Sequence, residues 1–279
     1  MNPSNHGTRI GADVGASLAK VAIRRGDEPF RLELAPAEAI ERVAREVESL
    51  RPRRIGVTGG GGARFADLLA LDTTRIGEFD AWAAGARELL RMQSAPPSEP
   101  FLLVSLGTGT SALLVDGDRV ERVGGTALGG GTILGLGRAL TGRTGFDELV
   151  ALATEGDRRR IDLLVSDVYP EGLTELPGAA SAASFGKLAR EAGSGRRSDP
   201  RDLAGALLGL VGENVALLCN ALAGQAGVRR IVFGGCALRG NQPLAQLLVA
   251  FTAALGREPI VLVSGEYSGA IGALLLADG

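Results

Sequence analysis

Residues 101–137, FLLVSLGTGTSALLVDGDRVERVGGTALGGGTILGLG, hold ten of the chain's 42 glycines between apolar runs. Glycine at this density requires a backbone that turns sharply and comes close to something. A strand entering Gly107, Thr108, Gly109, Thr110 and Ser111 aims consecutive N–H groups and three hydroxyls at one point, the geometry of an anion-binding nest, and phosphate is the first candidate. The competing reading is two tight hairpin turns.

The same order of elements occurs twice. Residues 8–14 read as a buried strand, 15–17 as a turn of Gly, Ala and Ser, 18–23 as a returning strand, and 26–27 as a turn into a third strand at 30–34. Residues 101–106, 111–115 and 119–123 repeat that meander, with the Gly/Thr turn after the first strand and Asp116, Gly117 and Asp118 after the second. This is an internal repeat at a spacing too long for a solenoid. It divides the chain into a first lobe, 1–92, and a second, 101–279, across the linker-like 93–100 with its three prolines.

Between the meanders, Pro36 opens a helix on which Ile40, Val43, Ala44, Val47 and Leu50 recur at helical spacing. A strand at 54–58 runs into four glycines, 59–62. A short helix at 63–69, an extended piece at 73–76 and a helix at 79–92, with Glu78 at its start, complete the lobe. The second lobe continues with helices at 132–140 and 146–153, a loop at 170–181, a connector at 193–200 and a long apolar helix at 202–225. A strand at 231–233, a turn of Gly234, Gly235 and Cys236, a helix at 244–255, a strand at 260–263 and a last helix at 268–277 follow. The alternation predicts an α/β class, and the last helix is free to pack back on the first lobe.

Composition removes several functions. The net charge is −2 and the single histidine, His6, lies in the polar tail 1–7, so neither a nucleic-acid partner nor histidine or zinc chemistry is expected. Cys219 and Cys236 lie in apolar surroundings and read as buried free thiols. With no secretory or membrane-spanning stretch apparent, a cytoplasmic protein without a membrane partner is expected. Only Lys20 and Lys187 are lysines among 30 basic residues, which singles out Lys20 as a place where a compact ammonium was needed.

Two lobes that each open with a meander and a Gly/hydroxyl turn have the plan of the actin-like ATPase and sugar-kinase group (ribonuclease H-like), with a nucleotide in the cleft between them. Six segments carry a closer resemblance, over about residues 10–276: GADVGASLAK (11–20), GEFDA (77–81), GTGTS (107–111), RVGGTALGGG (122–131), GDRRRIDLLVSDVY (156–169) and YSGAIGA (267–273). In order and approximate spacing they resemble the type II pantothenate kinases. That resemblance implies ATP-dependent phosphorylation of pantothenate, with Mg²⁺, in a homodimer open to feedback by coenzyme A or its thioesters. Two departures stand in the first phosphate motif. Ser17 replaces threonine, and Ala16 stands where the family usually has glycine, at a cost of roughly 1 kcal/mol if that position needs φ > 0.

Phosphorylating a primary alcohol needs a base, metal-bound ATP and donors for the moving phosphoryl group. The resemblance implies Glu78 as the base; otherwise it is a carboxylate favoured by a helix N-terminus, and Asp80 is the competing carboxylate. Asp13 ends an apolar strand, which suits Mg²⁺ held through water or an Asx turn. Lys20 is placed to reach the β- and γ-phosphates, with a solvated strand residue as the alternative. Gly15, Ser17, Gly107 to Ser111, and Gly129, Gly130 and Gly131 are the remaining phosphate-side candidates. Gly234 and Gly235 suit an adenosine-binding turn, with Cys236 a small filler. Arg122, Gly124 and Tyr267 are the substrate side, since a guanidinium matches a carboxylate bidentately. Trp82 reads as core or subunit contact rather than ligand stacking.

Three rival readings remain at this level. Gly107-x-Gly109-x-x-Ala112 fits a dinucleotide fingerprint superficially, but that fingerprint needs a helix next, and 111–115 reads as a strand. A related kinase acting on pantetheine or an N-acetylated amino sugar is the second, and a non-catalytic nucleotide-binding regulator the third.

Overall fold

The computed structural model describes residues 7–95, 100–172, 178–190 and 198–277. The polar tail, the linker at 93–100, the loop at 170–181 and the connector at 193–200 thus fall wholly or partly outside the described residues. In chain order the elements are β1 (Thr8–Val14), β2 (Leu18–Arg25), β3 (Arg31–Pro36), α1 (Ile40–Ser49), β4 (Arg54–Thr58), α2 (Gly62–Asp67), β5 (Thr74–Arg75) and α3 (Glu78–Met92). Then come β6 (Phe101–Leu106), β7 (Thr110–Asp116), β8 (Arg119–Thr126), α4 (Gly130–Thr141), α5 (Phe146–Glu155), β9 (Leu163–Leu164), α6 (Val165–Val168), β10 (Ser181–Ala183) and α7 (Gly186–Arg190). The chain finishes with α8 (Pro200–Gln225), β11 (Arg230–Gly234), α9 (Gln242–Ala254), β12 (Glu258–Val261) and α10 (Ser268–Leu276).

Two five-stranded sheets, ordered β3-β2-β1-β4-β5 and β12-β11-β6-β7-β8, bear out the expected α/β class. The chain forms two compact units. The first comprises Met1–Leu103, Leu113–Arg122 and Leu262–Gly279, and the second Val104–Ala112 and Val123–Val261.

Strand periodicity decides the first unit. In β1, Ile10, Ala12 and Val14 join Val21 and Ile23 of β2, Ile55 and Val57 of β4, Val43 and Val47 of α1 and Phe65 of α2 in one buried cluster. Alternate residues point to the other face, because side chains along a strand alternate. There Gly11 and Gly56 lie so close under α10 that a Cβ on either would strike the backbone carbonyl of Ala270 or Ala273. Gly85 of α3 meets Ser268 in the same way, and Gly272 of α10 meets Ala81. The last helix is thus seated on β1, β4 and α3 by backbone-to-backbone contact that only absent side chains permit.

The second unit is built on α8, which packs on α4, α5 and α9. Contrary to the expectation of no membrane-spanning stretch, α8 is apolar enough by length and composition to cross a membrane, but 67% of its apolar window is buried inside the fold, as in a core helix. Beside it a polar cluster, absent from the sequence expectations, ties down the β9–β10 excursion. The Arg158 guanidinium pairs with Asp162 (3.1 Å) and with Glu213, and it donates to Ser181 Oγ (2.8 Å). Ser181 N donates to Glu213 and Phe185 N to Asp162, and burial raises the Asp162 carboxyl above its ordinary range. Two buried carboxylates around one guanidinium make this the most charged interior site among the described residues.

The element bounds differ from expectation mainly at ends. α4 begins at Gly130 rather than 132, and β12 runs 258–261 rather than 260–263. The small elements β9, α6, β10 and α7 had no periodic signal long enough to read. Cys219 is buried, with its thiol pushed up to about 12 by desolvation, whereas Cys236 is half-buried; neither forms a disulfide.

Candidate active site

The β1–β2 hairpin pairs Asp13 with Lys20 directly across the ladder. Both therefore leave the same face, the one under α10. Lys20 Nζ donates to Asp13 Oδ2 at 3.2 Å, with the two side chains only 11% and 6% exposed. The turn between them closes by Gly15 N donating to the Leu18 carbonyl (3.0 Å), and a Cβ on Gly15 would stand 3.3 Å from Lys20 Nζ. Ala16 is exposed and is not among the residues with positive φ, so the expected penalty for replacing glycine there does not arise. Ser17, also exposed, accepts from Ala37 N through its carbonyl.

Glu78 is the first residue of α3, after Gly77 at the N-cap. Its side chain is solvent-accessible, yet protein packed around the carboxyl desolvates it in part. That desolvation, with the negative charge of Asp13 second, raises its pKa above 4.5, while Lys20 acts in the opposite sense. The three groups therefore share one electrostatic neighbourhood. Asp80, two residues on, folds its carboxylate back over Gly77 instead. Phe79 and Trp82 place their rings 6.0 Å apart beside Glu78.

The second unit holds the other glycines, and there the backbone dominates. Gly107 N donates to the Gly109 carbonyl (2.8 Å), Gly130 N to the Gly107 carbonyl (2.8 Å) and Gly131 N to the Thr108 carbonyl (2.9 Å). The turn after β6 is thus docked on the first turn of α4. A Cβ on Gly129 would lie 2.8 Å from Gly109 backbone atoms. Thr110 Oγ1 donates to the Leu128 carbonyl (2.7 Å), and Thr110 is buried while Thr108 is exposed. One of the three hydroxyls is thus spent on joining the two loops. As expected, a strand, β7, follows the glycines, which removes the dinucleotide reading.

The remaining candidates scatter. Gly235 adopts φ +104° with its backbone against Leu106 at the end of β6, and Gly234 is buried at the end of β11. Gly124 of β8 is covered by the Leu222 side chain of α8. Arg122 is exposed on β8. Tyr267 is half-buried where the 3₁₀ turn at Gly265–Tyr267 leads into α10. The structure brings Asp13, Lys20 and Glu78 together in one unit, and Gly107, Gly109 and Gly129 to Gly131 together in the other.

Comparison with known proteins agrees with the resemblance. The Fumble family model matches residues 32–276. A type II pantothenate kinase of Oceanobacillus iheyensis is 33% identical over 267 residues, covering 96% of this chain and 98% of the relative. The chain belongs to the type II pantothenate kinase family. A member from Staphylococcus epidermidis is 32% identical over 269 residues, covering 96% of this chain and all of the relative. Among solved structures, component A of the (R)-2-hydroxyglutaryl-CoA dehydratase of Acidaminococcus fermentans has a TM-score of 0.65 at 19% identity, covering 97% of each chain. A ROK family glucokinase of Streptomyces griseus, solved with glucose and AMPPNP, has a TM-score of 0.58 at 15% identity, covering 98% of this chain and 99% of the glucokinase. These likenesses show that this type II pantothenate kinase family member has the actin-like ATPase fold.

Three residues around Asp13 escaped the sequence reading. Gly59, with φ +85°, leaves room for Asp13 Oδ1, and Gly269 in the first turn of α10 leaves room for Asp13 Oδ2; a Cβ on either would stand 2.7 or 2.6 Å from that oxygen. Thr58 pairs with Asp13 on the β4 side. The run 59–62 and the segment YSGAIGA were the available signals, but nothing local tells which strand or helix a glycine must admit.

Proposed function

We propose that this chain transfers the γ-phosphoryl group of ATP to the primary alcohol of pantothenate, the first step of coenzyme A biosynthesis. The observation that carries the reading is Glu78 at the start of α3, with a carboxyl raised by partial burial and by Asp13, in reach of the Lys20 charge. A carboxylate raised toward the operating pH is a better general base, and Glu78 takes the hydroxyl proton. Lys20 supplies positive charge for the transferring group, and its bond to Asp13 fixes where that charge sits.

Asp13 is the residue to hold Mg²⁺. Among the described residues no group of three or more His, Cys, Asp or Glu side chains is placed to hold a metal ion. One buried carboxylate fits an ion that is bound through one or two carboxylates, waters and substrate phosphates rather than in a protein cage. Bound there, Mg²⁺ would neutralise phosphate charge.

In the second unit, Gly107 to Ser111 and Gly129 to Gly131 are assigned to the phosphates, and Gly234 and Gly235 to adenosine. Arg122, Gly124 and Tyr267 are assigned to pantothenate, with Arg122 on its carboxylate. The same reading includes a cytoplasmic homodimer, and coenzyme A or its thioesters as feedback ligands.

The test is a phosphorylation assay over pantothenate, pantetheine and N-acetylated amino sugars at saturating Mg-ATP, with Glu78→Gln beside the wild type. Pantothenate is expected to be the preferred acceptor, and Glu78→Gln to lower kcat by about 10²–10⁴-fold. The base works ionised, so activity falls as pH drops through a value above 4.5, and Glu78→Gln loses that acid limb. Wild-type kcat in Glu78→Gln would remove Glu78 from the mechanism, and turnover of another acceptor alone would reassign the substrate.

A further inference from the structure

Three polar side chains stand in one row on the face of the first sheet that lies under α10. Lys20 of β2 pairs with Asp13 of β1, and Asp13 pairs with Thr58 of β4, across neighbouring strands. The parity of all three strands agrees: Val21, Ala12 and Val57, one residue away, lie in the hydrophobic cluster on the opposite face. Lys20 Nζ donates to Asp13 Oδ2. Thr58 is fully buried, and its Oγ1 has no hydrogen-bond partner.

An orphaned hydroxyl at that depth is destabilising, and valine would fill the same volume without that cost. Such a group in a native fold is commonly completed by an ordered water or an ion. The neighbouring carboxylate has its second oxygen on the β4 side. Lys20 takes Oδ2, whereas Oδ1 lies toward Gly59, the residue after Thr58. Gly59 bears no Cβ, and a Cβ there would stand 2.5 Å from the Val14 carbonyl oxygen and 2.7 Å from Oδ1. A water bound between strands β1 and β4 here would have Thr58 Oγ1 and Asp13 Oδ1 as partners, within the two to four that a buried water needs.

We propose that Thr58 is a positioning residue for Asp13: its hydroxyl, through one ordered water, holds Oδ1 in the orientation that faces the cation, while Lys20 holds Oδ2. The inference rests on the reading of Asp13 as the Mg²⁺-facing carboxylate. Thr58 touches neither substrate nor phosphate in this scheme and acts only through Asp13. Partners of this kind, one shell removed from a metal, typically change metal affinity or activity by about 10–100-fold when lost.

The experiment compares wild type, Thr58→Val and Thr58→Ser, with melting temperature recorded for each. Mn²⁺ binding is followed by electron paramagnetic resonance in the presence of ADP, and kcat and KM for pantothenate are measured with Mg-ATP. Thr58→Val is expected to weaken Mn²⁺ binding about tenfold and to lower kcat by a similar factor, with the pantothenate KM unchanged. Thr58→Ser restores both. Should Thr58→Val not fold, Thr58→Ala is read in the same titration. A Thr58→Val protein that melts higher than wild type and binds Mn²⁺ equally well would overturn the proposal, since the hydroxyl would then be a mere orphan. The two readings fail separately: a wild type that leaves pantothenate unphosphorylated defeats the proposed function, while the Mn²⁺ titration with ADP still reports on Thr58.

Discussion

The turns that follow β1 and β6 occupy the same place in the two meanders and are built on opposite principles. After β1, residues 15–17 lie between two buried, paired side chains, Asp13 and Lys20, and the turn's own backbone makes one short closure, Gly15 to Leu18. After β6, the turn carries no charge of its own and is locked by three backbone hydrogen bonds, two of them to the first turn of α4. The first turn thus delivers charged groups to a fixed place, and the second delivers a fixed backbone. Charge placed by side chains can be tuned residue by residue, whereas a backbone cradle tolerates almost no added atom.

The difference can be broken from the first side most severely. Lys20→Met leaves the Asp13 carboxylate buried without its counter-charge and is expected to cost about 3 kcal/mol of folding stability, read by urea unfolding. Lys20→Met with Asp13→Asn removes both charges and should recover much of that loss. No recovery in the double variant would mean that the pair is not the unit described here. On the second side, Gly129→Ala puts a methyl 2.8 Å from Gly109 backbone atoms, which can yield only by moving the turn. It is expected to cost about 1–3 kcal/mol and to weaken ATP binding, measured by calorimetry. Unchanged stability would show that the two loops are not docked as rigidly as their hydrogen bonds imply.

Much of the first turn was legible in the sequence, and less of the second. A hairpin of known length fixes which residues face each other, so Asp13 opposite Lys20 follows once the strands are placed. Helix periodicity likewise found α1, and the resemblance of the segment at 77–81 marked Glu78 at the start of α3. What remained hidden was long-range. Gly269 and Gly59 frame Asp13 from segments more than 250 and about 45 positions away, and a glycine's sequence neighbours do not reveal which chain it must let past. Thr110 illustrates the same limit: its hydroxyl was grouped with those of Thr108 and Ser111, but tertiary docking of the 129–131 loop claimed it for the Leu128 carbonyl. Arg158, within an evident run of arginines, found two buried carboxylates, one of them 55 positions on.

The smallest expected effect sharpens the contrast most finely, because it concerns a single residue in which the first turn departs from its family. The resemblance to the family implies glycine where Ala16 stands, which would make Ala16→Gly the consensus change. In this structure Ala16 lacks positive φ and is exposed, so alanine meets no steric objection there. Glycine would add only conformational freedom to the unfolded chain, and Ala16→Gly is expected to lower stability by about 0.4–1 kcal/mol. The same exchange must leave the Asp13–Lys20 pair in place, since neither side chain depends on a Cβ at 16, so the KM for Mg-ATP should stay unchanged. A gain in stability would mean that the turn samples a left-handed conformation in solution. The side-chain turn would then share the glycine dependence that this structure confines to its backbone-built counterpart.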